Sequence, residues 1–455
     1  MGFSRRDITP DFPVPLAGYL VSRVSRGVHD RLYARALAFD GREASGPVVL
    51  LQLDLLNLDS ICMNRIHEGI AAFGLRKDQL LVCAIHTHSG FGGIFDPGKG
   101  INRELEPLLG APDPRLADLV VRESLSAVEE ALAERVETMV RIRRGVLEGL
   151  GTNRHDPDLP CDKSLLLIEF CRMDYKKILL YSTGCHPTVL NGENLLLSAD
   201  FAGAVAGKLE KSGPDPSPPA EFSLSGKPGG DVSGRPDGYD LVIFINGAAG
   251  DMSTRFTRNE SSFAECGRYA DLILGAIEGL KKGVFLPLER VTLRYHTAGL
   301  CRATIQDEKN AEERLKESRQ TLETLRQKEA SPKEIRRAES FVEGAQINLL
   351  TSRHAKGHAG LNSETGCTGG EEIPVETGIL RINASVIVCV PFELFSTLAL
   401  MLKREKQADV FGYANVLRGY LADRESYDNM EYEALSSEFR RGEGERYIEL
   451  VTALL

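Results

Sequence analysis

Histidine and glutamate side chains follow strongly apolar stretches of this chain, where polar groups are unusual. His86 and His88 stand in HTHSG after LLVCA, and His186 stands in GCHP after a second apolar run. Glu393 follows IVCVP, where burial of an unpaired carboxylate would be costly. Zinc binds imidazole and carboxylate ligands, and a catalytic zinc site keeps a position open for water. The motifs favour a metal site, although each histidine taken alone could equally be structural.

The HTH spacing itself has a chemical consequence. Residues i and i+2 of a strand point to the same face, so both imidazoles can approach one ion. Alternatively, one of them binds the ion while the other faces a substrate.

A further polar loop, containing Asp251 and Ser253 in GDMS, follows the apolar stretch LVIFING. Ser253 is interpreted as a nucleophile or as a residue that positions a substrate, with a helix N-cap as the alternative. Asp251 could fix the ring of a ligand histidine or cap the helix that follows.

These loops are positioned by predicted strands and helices that alternate along the chain. Helices are predicted at 61–74, 114–136 and 261–281, and the part after Glu393 is read as helical with a Tyr-rich segment at 411–432. The predicted strands are two within 31–59 and one each at 80–90, 138–148, 164–173, 177–183, 241–247 and 384–395. The pattern indicates an α/β fold, in which sites form outside strand ends, so the loops are expected to converge.

Two stretches differ in character from the rest. Residues 211–238 are rich in Pro, Gly and Ser and are interpreted as a surface insertion or loop. Residues 303–353 carry many Glu, Lys, Arg and Gln residues and are broken by Ser331-Pro332. Because Pro fits the first turn of a helix, two antiparallel helices are predicted to meet there. A solvated hairpin without chemistry is the first interpretation, and an oligomer contact or a lid is the second.

Composition limits the class of protein. The chain has 455 residues with a formal net charge of −10, so nucleic acid is an unfavourable partner. No apolar stretch approaches the roughly 20 residues that span a bilayer, and the polar start MGFSRRDITPDFPVP does not read as a signal peptide. Nine cysteines without a CxxC motif are typical of reduced thiols, and a cytoplasmic location is expected.

Motifs along nearly the whole chain, in order, resemble those of the neutral/alkaline non-lysosomal ceramidase family. They are RRDITP, PLAGY, GVHDRLYARAL, HTHSGFGG, GTNR, GCHPTVL, LSADFAG, NGAAGDMS, VPFE and GYANVLRGYLADRESYDNMEYE. No single motif is decisive, but their common order is very specific. The resemblance implies one catalytic domain over 1–455, with mixed β-sheets flanked by helices and a metal site at the strand ends.

The resemblance also implies a set of site residues. It assigns zinc to His86, His186, Glu393 and Tyr420. His88 would transfer protons, and the remaining matches to catalytic positions are Arg154, Ser253 and Tyr432. Arg154 could instead pair with an acidic neighbour. His155 is assigned to surface or structure, and Tyr413 and Tyr427 to the core.

The sequence departs from the family pattern in several places. Phe91 stands where the family loop usually has proline, and Thr254 follows Ser253 where proline is usual. The secretion signal and the C-terminal immunoglobulin-like domain of the long family members are expected to be absent. The expected activity is hydrolysis of ceramide or a related N-acyl amide to a fatty acid and an amine. The alternatives are a zinc hydrolase for another small amide or ester, and a non-catalytic binding protein.

Overall fold

The computed structural model describes residues 1–40, 46–95, 106–210, 238–280, 282–303, 308–357 and 371–455. The strands are β1 (Gly2–Asp7), β2 (Gly27–Val28), β3 (Tyr33–Phe39), β4 (Val48–Leu53), β5 (Leu80–Ala84), β6 (Thr138–Val146), β7 (Thr152–Asn153), β8 (Ser164–Arg172), β9 (Lys177–Thr183), β10 (Leu196–Leu197), β11 (Leu241–Asn246), β12 (Met252–Ser253), β13 (Leu286–Pro287), β14 (Val291–Cys301), β15 (Glu372–Ile382), β16 (Ser385–Cys389), β17 (Glu393–Leu394), β18 (Asp409–Phe411) and β19 (Tyr420–Leu421). The helices are α1 (Ser60–Ile70), α2 (Glu106–Leu109), α3 (Pro114–Ala133), α4 (Asp200–Leu209), α5 (Phe263–Gly279), α6 (Glu308–Gln327), α7 (Pro332–Gly357), α8 (Ser396–Lys406), α9 (Arg424–Asp428), α10 (Tyr432–Ser436) and α11 (Glu443–Thr452).

The larger sheets combine parallel and antiparallel pairs, which confirms the expected mixed α/β architecture. Their strand orders are β1-β3-β4-β5, β11-β9-β8-β6-β13 and β14-β15-β16-β18. One pair in each sheet is parallel, namely β4 with β5, β9 with β11, and β16 with β18. The two-residue strands form small ribbons, among them β7 with β12 and β17 with β19.

These sheets share one apolar core. Leu50 of β4, Leu180 of β9 and Ile387 of β16 belong to the same buried cluster. The outer faces are covered by helices: α3 packs on β1 and β3, α4 packs on β11, and α8 packs on β18. Burial of each such side chain stabilises the fold by roughly 1.5–3 kcal/mol, so the strand ends are held on a rigid base.

The predicted helical hairpin is confirmed as α6 and α7. Ser331 caps α7 with a capping box, because its Oγ accepts from the Glu334 main-chain N–H (3.3 Å) while Glu334 accepts from the Ser331 main-chain N–H (2.9 Å). Arg353 near the end of α7 pairs with Glu308 at the start of α6 (3.0 Å), which shows that the two helices are antiparallel. Their interface is apolar and consists of Ala311, Leu315, Ala345 and Leu349.

Some elements differ from the sequence prediction. The strands β1, β14 and β15 were not anticipated, and the part after Glu393 contains β18 and β19 as well as helices. The last of these, β19, begins at Tyr420. The predicted 211–238 loop lies outside the described residues except at its final position.

No described helix is both long and apolar enough to cross a membrane. The cysteines at the described positions are free thiols, and most of them are buried.

Candidate metal centre

The loops after β5 and β9 are tied together by one buried side chain, Asn246 at the end of β11. Its Nδ2 donates to the carbonyls of Ile85 (3.2 Å) and Cys185 (3.0 Å), and its Oδ1 accepts from the Cys185 main-chain N–H (3.2 Å). Ile85 and Cys185 immediately precede His86 and His186. A buried amide bonded in this way fixes the two histidine-bearing loops relative to each other.

The histidines His86 and His186 converge on one carboxylate. Their Nε2 atoms lie 3.3 Å and 3.0 Å from Glu393 Oε2, respectively. The opposite ring nitrogens are held by main-chain carbonyls, with His86 Nδ1 at 2.9 Å from Leu56 O and His186 Nδ1 at 2.9 Å from Met252 O. When Nδ1–H donates to a carbonyl, Nε2 presents its lone pair, which is how many histidines bind a metal.

The electrostatics of this cluster keep the carboxylate ionised. Burial alone would raise the pKa of Glu393, but the adjacent His86 and His186 imidazoles lower it well below its usual range. Burial lowers the pKa of His186 to about 4, and Arg154 contributes in the same direction. An anionic oxygen therefore faces a neutral imidazole.

The ring of His88 lies beside this cluster, and no residue in the described part of the chain hydrogen-bonds to it. Its Nδ1 and Nε2 are buried and bond to no described residue. A ligand atom of His88 lies within 4.8 Å of ligand atoms of His86 and His186. Burial lowers the pKa of His88 well below its usual range, as do the neighbouring imidazoles. Gly18, at φ 100°, permits this packing, since a Cβ there would lie 2.6 Å from His88 Cγ.

Tyr420 stands next to Glu393 because β17 and β19 pair in parallel register at these two residues. The Tyr420 hydroxyl accepts from Arg154 Nη1 at 3.4 Å, and its ring lies 5.7 Å from the ring of Tyr432 in an edge-to-face arrangement. The structure thus brings Arg154, Tyr420 and Tyr432 together on the β17 side of the cluster. Burial raises the pKa of Tyr420 well above its usual range, and the charge of Glu393 adds to this effect.

Ser253 is buried in β12, one residue after the carbonyl that holds His186. Its Oγ accepts from the Arg255 main-chain N–H at 3.2 Å and makes no hydrogen bond to the histidines or to Glu393 among the described residues. Asp251 accepts from the main-chain N–H and the hydroxyl of Ser396, both at 2.7 Å, and so caps α8. The carbonyl of Met252, rather than Asp251, therefore fixes the ring of His186.

Tyr413, assigned to the core from the sequence, belongs to the cluster. Its ring stacks on His86 with centroids 4.2 Å apart, and its buried hydroxyl bonds to no described residue. The residue has φ 54°, an uncommon conformation for tyrosine. Its only sequence signal is its place in GYAN, shortly before Tyr420.

A second cluster of ligand-type residues lies behind Arg154. His155 Nε2 is 2.8 Å from Glu433 Oε2 and 3.5 Å from Glu431 Oε2, and all three residues are buried. Arg154 Nη1 donates to Glu433 Oε1 at 2.8 Å. The alternative interpretation of Arg154, pairing with an acidic neighbour, is thus observed in addition to its contact with Tyr420, and its catalytic role stays a prediction. His155 was assigned to surface or structure, and its contact with Glu433, which follows Tyr432, was missed.

The first cluster fits a divalent metal ion. Its ligand atoms are of the kinds that zinc accepts, and the Nε2 atoms of His86 and His186 face one oxygen of Glu393. The buried ring nitrogens of His88 have no partner within the described ranges. Such a site at the ends of sheet strands, on an α/β scaffold, is of the kind that can hold a catalytic metal ion.

The comparisons with known proteins give the family. The chain belongs to the neutral/alkaline non-lysosomal ceramidase family, whose N-terminal model matches residues 1–267. The structure is similar to that of neutral ceramidase from Pseudomonas aeruginosa, with a TM-score of 0.71 and 16% identity over 99% of this chain and 73% of that chain. It is also similar to a ceramidase complexed with C2, with a TM-score of 0.70 and 16% identity over 99% and 74% of the two chains. At this level of identity the structural likeness shows the fold, and family membership indicates a hydrolase.

Proposed function

We propose that this protein is a zinc-dependent amidohydrolase that cleaves the amide bond of ceramide or a related N-acyl amide. The observation that carries the proposal is the convergence of His86, His186 and Glu393 beside His88, whose ring nitrogens have no described partner. The products are a fatty acid and an amine.

The proposed metal ligands are His86, His186, Glu393 and Tyr420. A zinc ion held there supplies Lewis acidity toward the amide carbonyl and toward water. Leu56 O and Met252 O orient the two imidazoles, and Asn246 fixes the spacing of the loops that carry them. The chain therefore holds the two imidazole ligands in fixed positions and orientations.

His88 is proposed as the residue that moves the proton. Its low pKa keeps the imidazole neutral, so it can accept a proton from the attacking water and return it to the leaving amine. Because neither nitrogen is held by a described residue, both are free for this exchange.

Arg154 and Tyr432 are proposed to donate hydrogen bonds to the carbonyl oxygen as negative charge develops on it. Removing one such donor typically costs about 3 kcal/mol of transition-state stabilisation. Ser253 is proposed either as a nucleophile or as a residue that orients the substrate. Full activity of a zinc-loaded Ser253→Ala variant would exclude the nucleophile.

The proposal also covers the extent of the domain, the class of partner and the cellular location. We propose that residues 1–455 form one catalytic domain, since the sheets share a core. The proposed partner is a small-molecule or lipid amide rather than nucleic acid, and the free thiols support a cytoplasmic location.

The test is hydrolysis of a fluorogenic N-acyl sphingosine by the purified protein as isolated, after chelation, and after addition of zinc or manganese. We expect chelation to abolish turnover and zinc to restore it. Hydrolysis of short amides or esters alone would favour a zinc hydrolase with another substrate. Metal binding without any turnover would favour a binding protein.

A further inference from the structure

Arg255 lies at the edge of the proposed catalytic site. It follows β12, and its main-chain N–H donates to Ser253 Oγ at 3.2 Å. Its guanidinium Nη1 donates to the main-chain carbonyl of Arg154 at 3.0 Å. These two bonds place a partly exposed cation beside two of the proposed catalytic residues.

The Arg255 guanidinium has no carboxylate partner among the described residues. The carboxylates whose charges act on it, Glu343 and Glu433, are already bound by other cations. Glu343 Oε1 and Oε2 accept from Arg336 at 3.0 and 3.1 Å, and Glu433 accepts from Arg154 at 2.8 Å. Arg154 and Arg336 therefore each bind a carboxylate, whereas the Arg255 guanidinium binds none among the described residues.

The helical hairpin forms one side of this region. Its second helix, α7, packs on α10, which begins at Tyr432. The contact is close at Gly344, where a Cβ would lie 3.1 Å from the Cα of Tyr432. The charges of Arg336 and Glu343 on this helix act on Arg255, so the hairpin borders the catalytic groups.

The surroundings of Arg255 disfavour an unpaired positive charge. Burial lowers the pKa of its guanidinium to about 9, and the charges of Arg154 and Arg336 act in the same direction. A partly buried charge is stabilised by pairing, because desolvation is costly without a counter-charge. A bound anion would supply this counter-charge, and arginine binds carboxylate and phosphate with two parallel hydrogen bonds.

We propose that Arg255 binds an anionic group, a carboxylate or a phosphate, on the amine portion of the substrate. This inference rests on the proposed amide hydrolysis and names its substrate class. The acyl portion of an N-acyl amide is apolar, so the anion belongs to the amine that is released. Among the N-acyl amides proposed above, the preferred substrate is then an N-acylated acidic amine.

The experiment compares amides that share one acyl chain and differ in the amine: N-lauroylglycine, N-lauroylphosphoethanolamine and neutral N-lauroylethanolamine. For the zinc-loaded protein, we expect kcat/KM to be about 10- to 100-fold higher for at least one anionic amide than for the neutral one. The better of the two anionic amides identifies carboxylate or phosphate as the preferred group.

Variants test whether the preference for anionic amides depends on Arg255. Arg255→Gln should lower kcat/KM for the preferred anionic amide about 10- to 100-fold more than for the neutral amide, mainly through KM. Arg255→Lys should retain part of the preference. Arg268→Gln removes a positive charge from α5 and should change neither substrate. Equal losses on anionic and neutral amides in Arg255→Gln, or no preference in the wild type, would overturn the proposal.

A binding measurement separates this proposal from the proposed reaction. Calorimetry with zinc-loaded His88→Ala protein should show tighter binding of the preferred anionic amide than of N-lauroylethanolamine, and Arg255→Gln in that background should remove the difference. This result would support the anion subsite even if no amide were hydrolysed. Equal binding of all three amides would refute it, whatever the fate of the hydrolysis.

Discussion

The two buried clusters on either side of Arg154 contain the same kinds of side chain at similar distances, yet they differ in charge. In the first, His186 Nε2 lies 3.0 Å from Glu393 Oε2, and in the second, His155 Nε2 lies 2.8 Å from Glu433 Oε2. Burial lowers the pKa of His186 to about 4. Burial would also lower the pKa of His155, but Glu433 and Glu431 raise it above its usual value.

This difference shows why suitable residue types do not by themselves make a metal site. The second cluster supplies its own partners, because Arg154 and His155 bind the two oxygens of Glu433. These partners lower the pKa of Glu433 to about 2 although burial raises it. The first cluster offers a carboxylate and, in His88 and His186, imidazoles whose pKa is lowered, so a divalent ion would complete its charge balance. We therefore expect metal in the first cluster and an ion pair that supports Tyr432 in the second.

The largest effect is expected from loss of a ligand in the first cluster. Glu393→Gln removes the carboxylate that faces the two imidazoles, and hydrolysis should fall to the uncatalysed background because Lewis acidity is lost. The rate on the N-acyl amide substrate and the zinc content are measured together. Glu431→Gln, a matched change in the second cluster, should retain zinc. Turnover by a metal-free Glu393→Gln protein would contradict the account.

Replacement of His88 tests whether this residue transfers protons or binds the metal. His88→Ala should retain zinc and lose about 10²- to 10⁴-fold in kcat, the usual contribution of a general acid–base residue. Metal analysis and steady-state kinetics on one preparation check this. Loss of zinc in the variant would make His88 a ligand instead.

The ion pair of the second cluster is expected to affect stability more than metal content. Glu433→Ala leaves Arg154 and His155 buried without their partner, and the free energy of unfolding should fall by about 3–5 kcal/mol. Denaturant unfolding of the zinc-loaded protein measures this. Glu431→Gln should cost less, since Glu431 lies farther from His155. Equal losses in the two variants would show that the proximity of Glu433 is not decisive.

The smallest effect concerns pH. Because the folded-state pKa of His155 is raised, its stabilising contribution is fully present below the unfolded value of about 6.5 and is lost as pH rises through the folded value. The stability difference between wild type and His155→Gln should therefore shrink toward alkaline pH. A pH-independent difference would mean that His155 is neutral throughout and acts only through packing.

The sequence predicted the strands that carry the site more reliably than the contacts between them. The apolar runs before His86, His186 and Glu393 indicated buried strands, and the convergence of their ends follows from α/β architecture. The Ser331-Pro332 pair correctly predicted the start of the second helix of the hairpin. Long-range pairing was not visible, because neither the register of Tyr420 beside Glu393 nor the stacking of Tyr413 on His86 leaves a local pattern.

The buried hydrogen bonds and ion pairs between distant residues could not be predicted from the sequence either. Asn246 ends an apolar strand and gives no sign that it ties together two loops more than 60 residues away along the chain. His155 lies 278 residues from Glu433, so a buried ion pair between them has no local signal. Arg154 and Tyr420 were identified through the family resemblance, and spacing alone would not have selected them.

The most direct test of the comparison between the clusters is metal content per chain, measured by plasma mass spectrometry on wild type, His186→Ala and His155→Ala after saturation with zinc and removal of excess. The account predicts one zinc in the wild type, none in His186→Ala and one in His155→Ala. Two zinc ions in the wild type, with one lost in His155→Ala, would contradict the claim that the second cluster is an ion pair. Zinc retained in His186→Ala would contradict the metal centre itself.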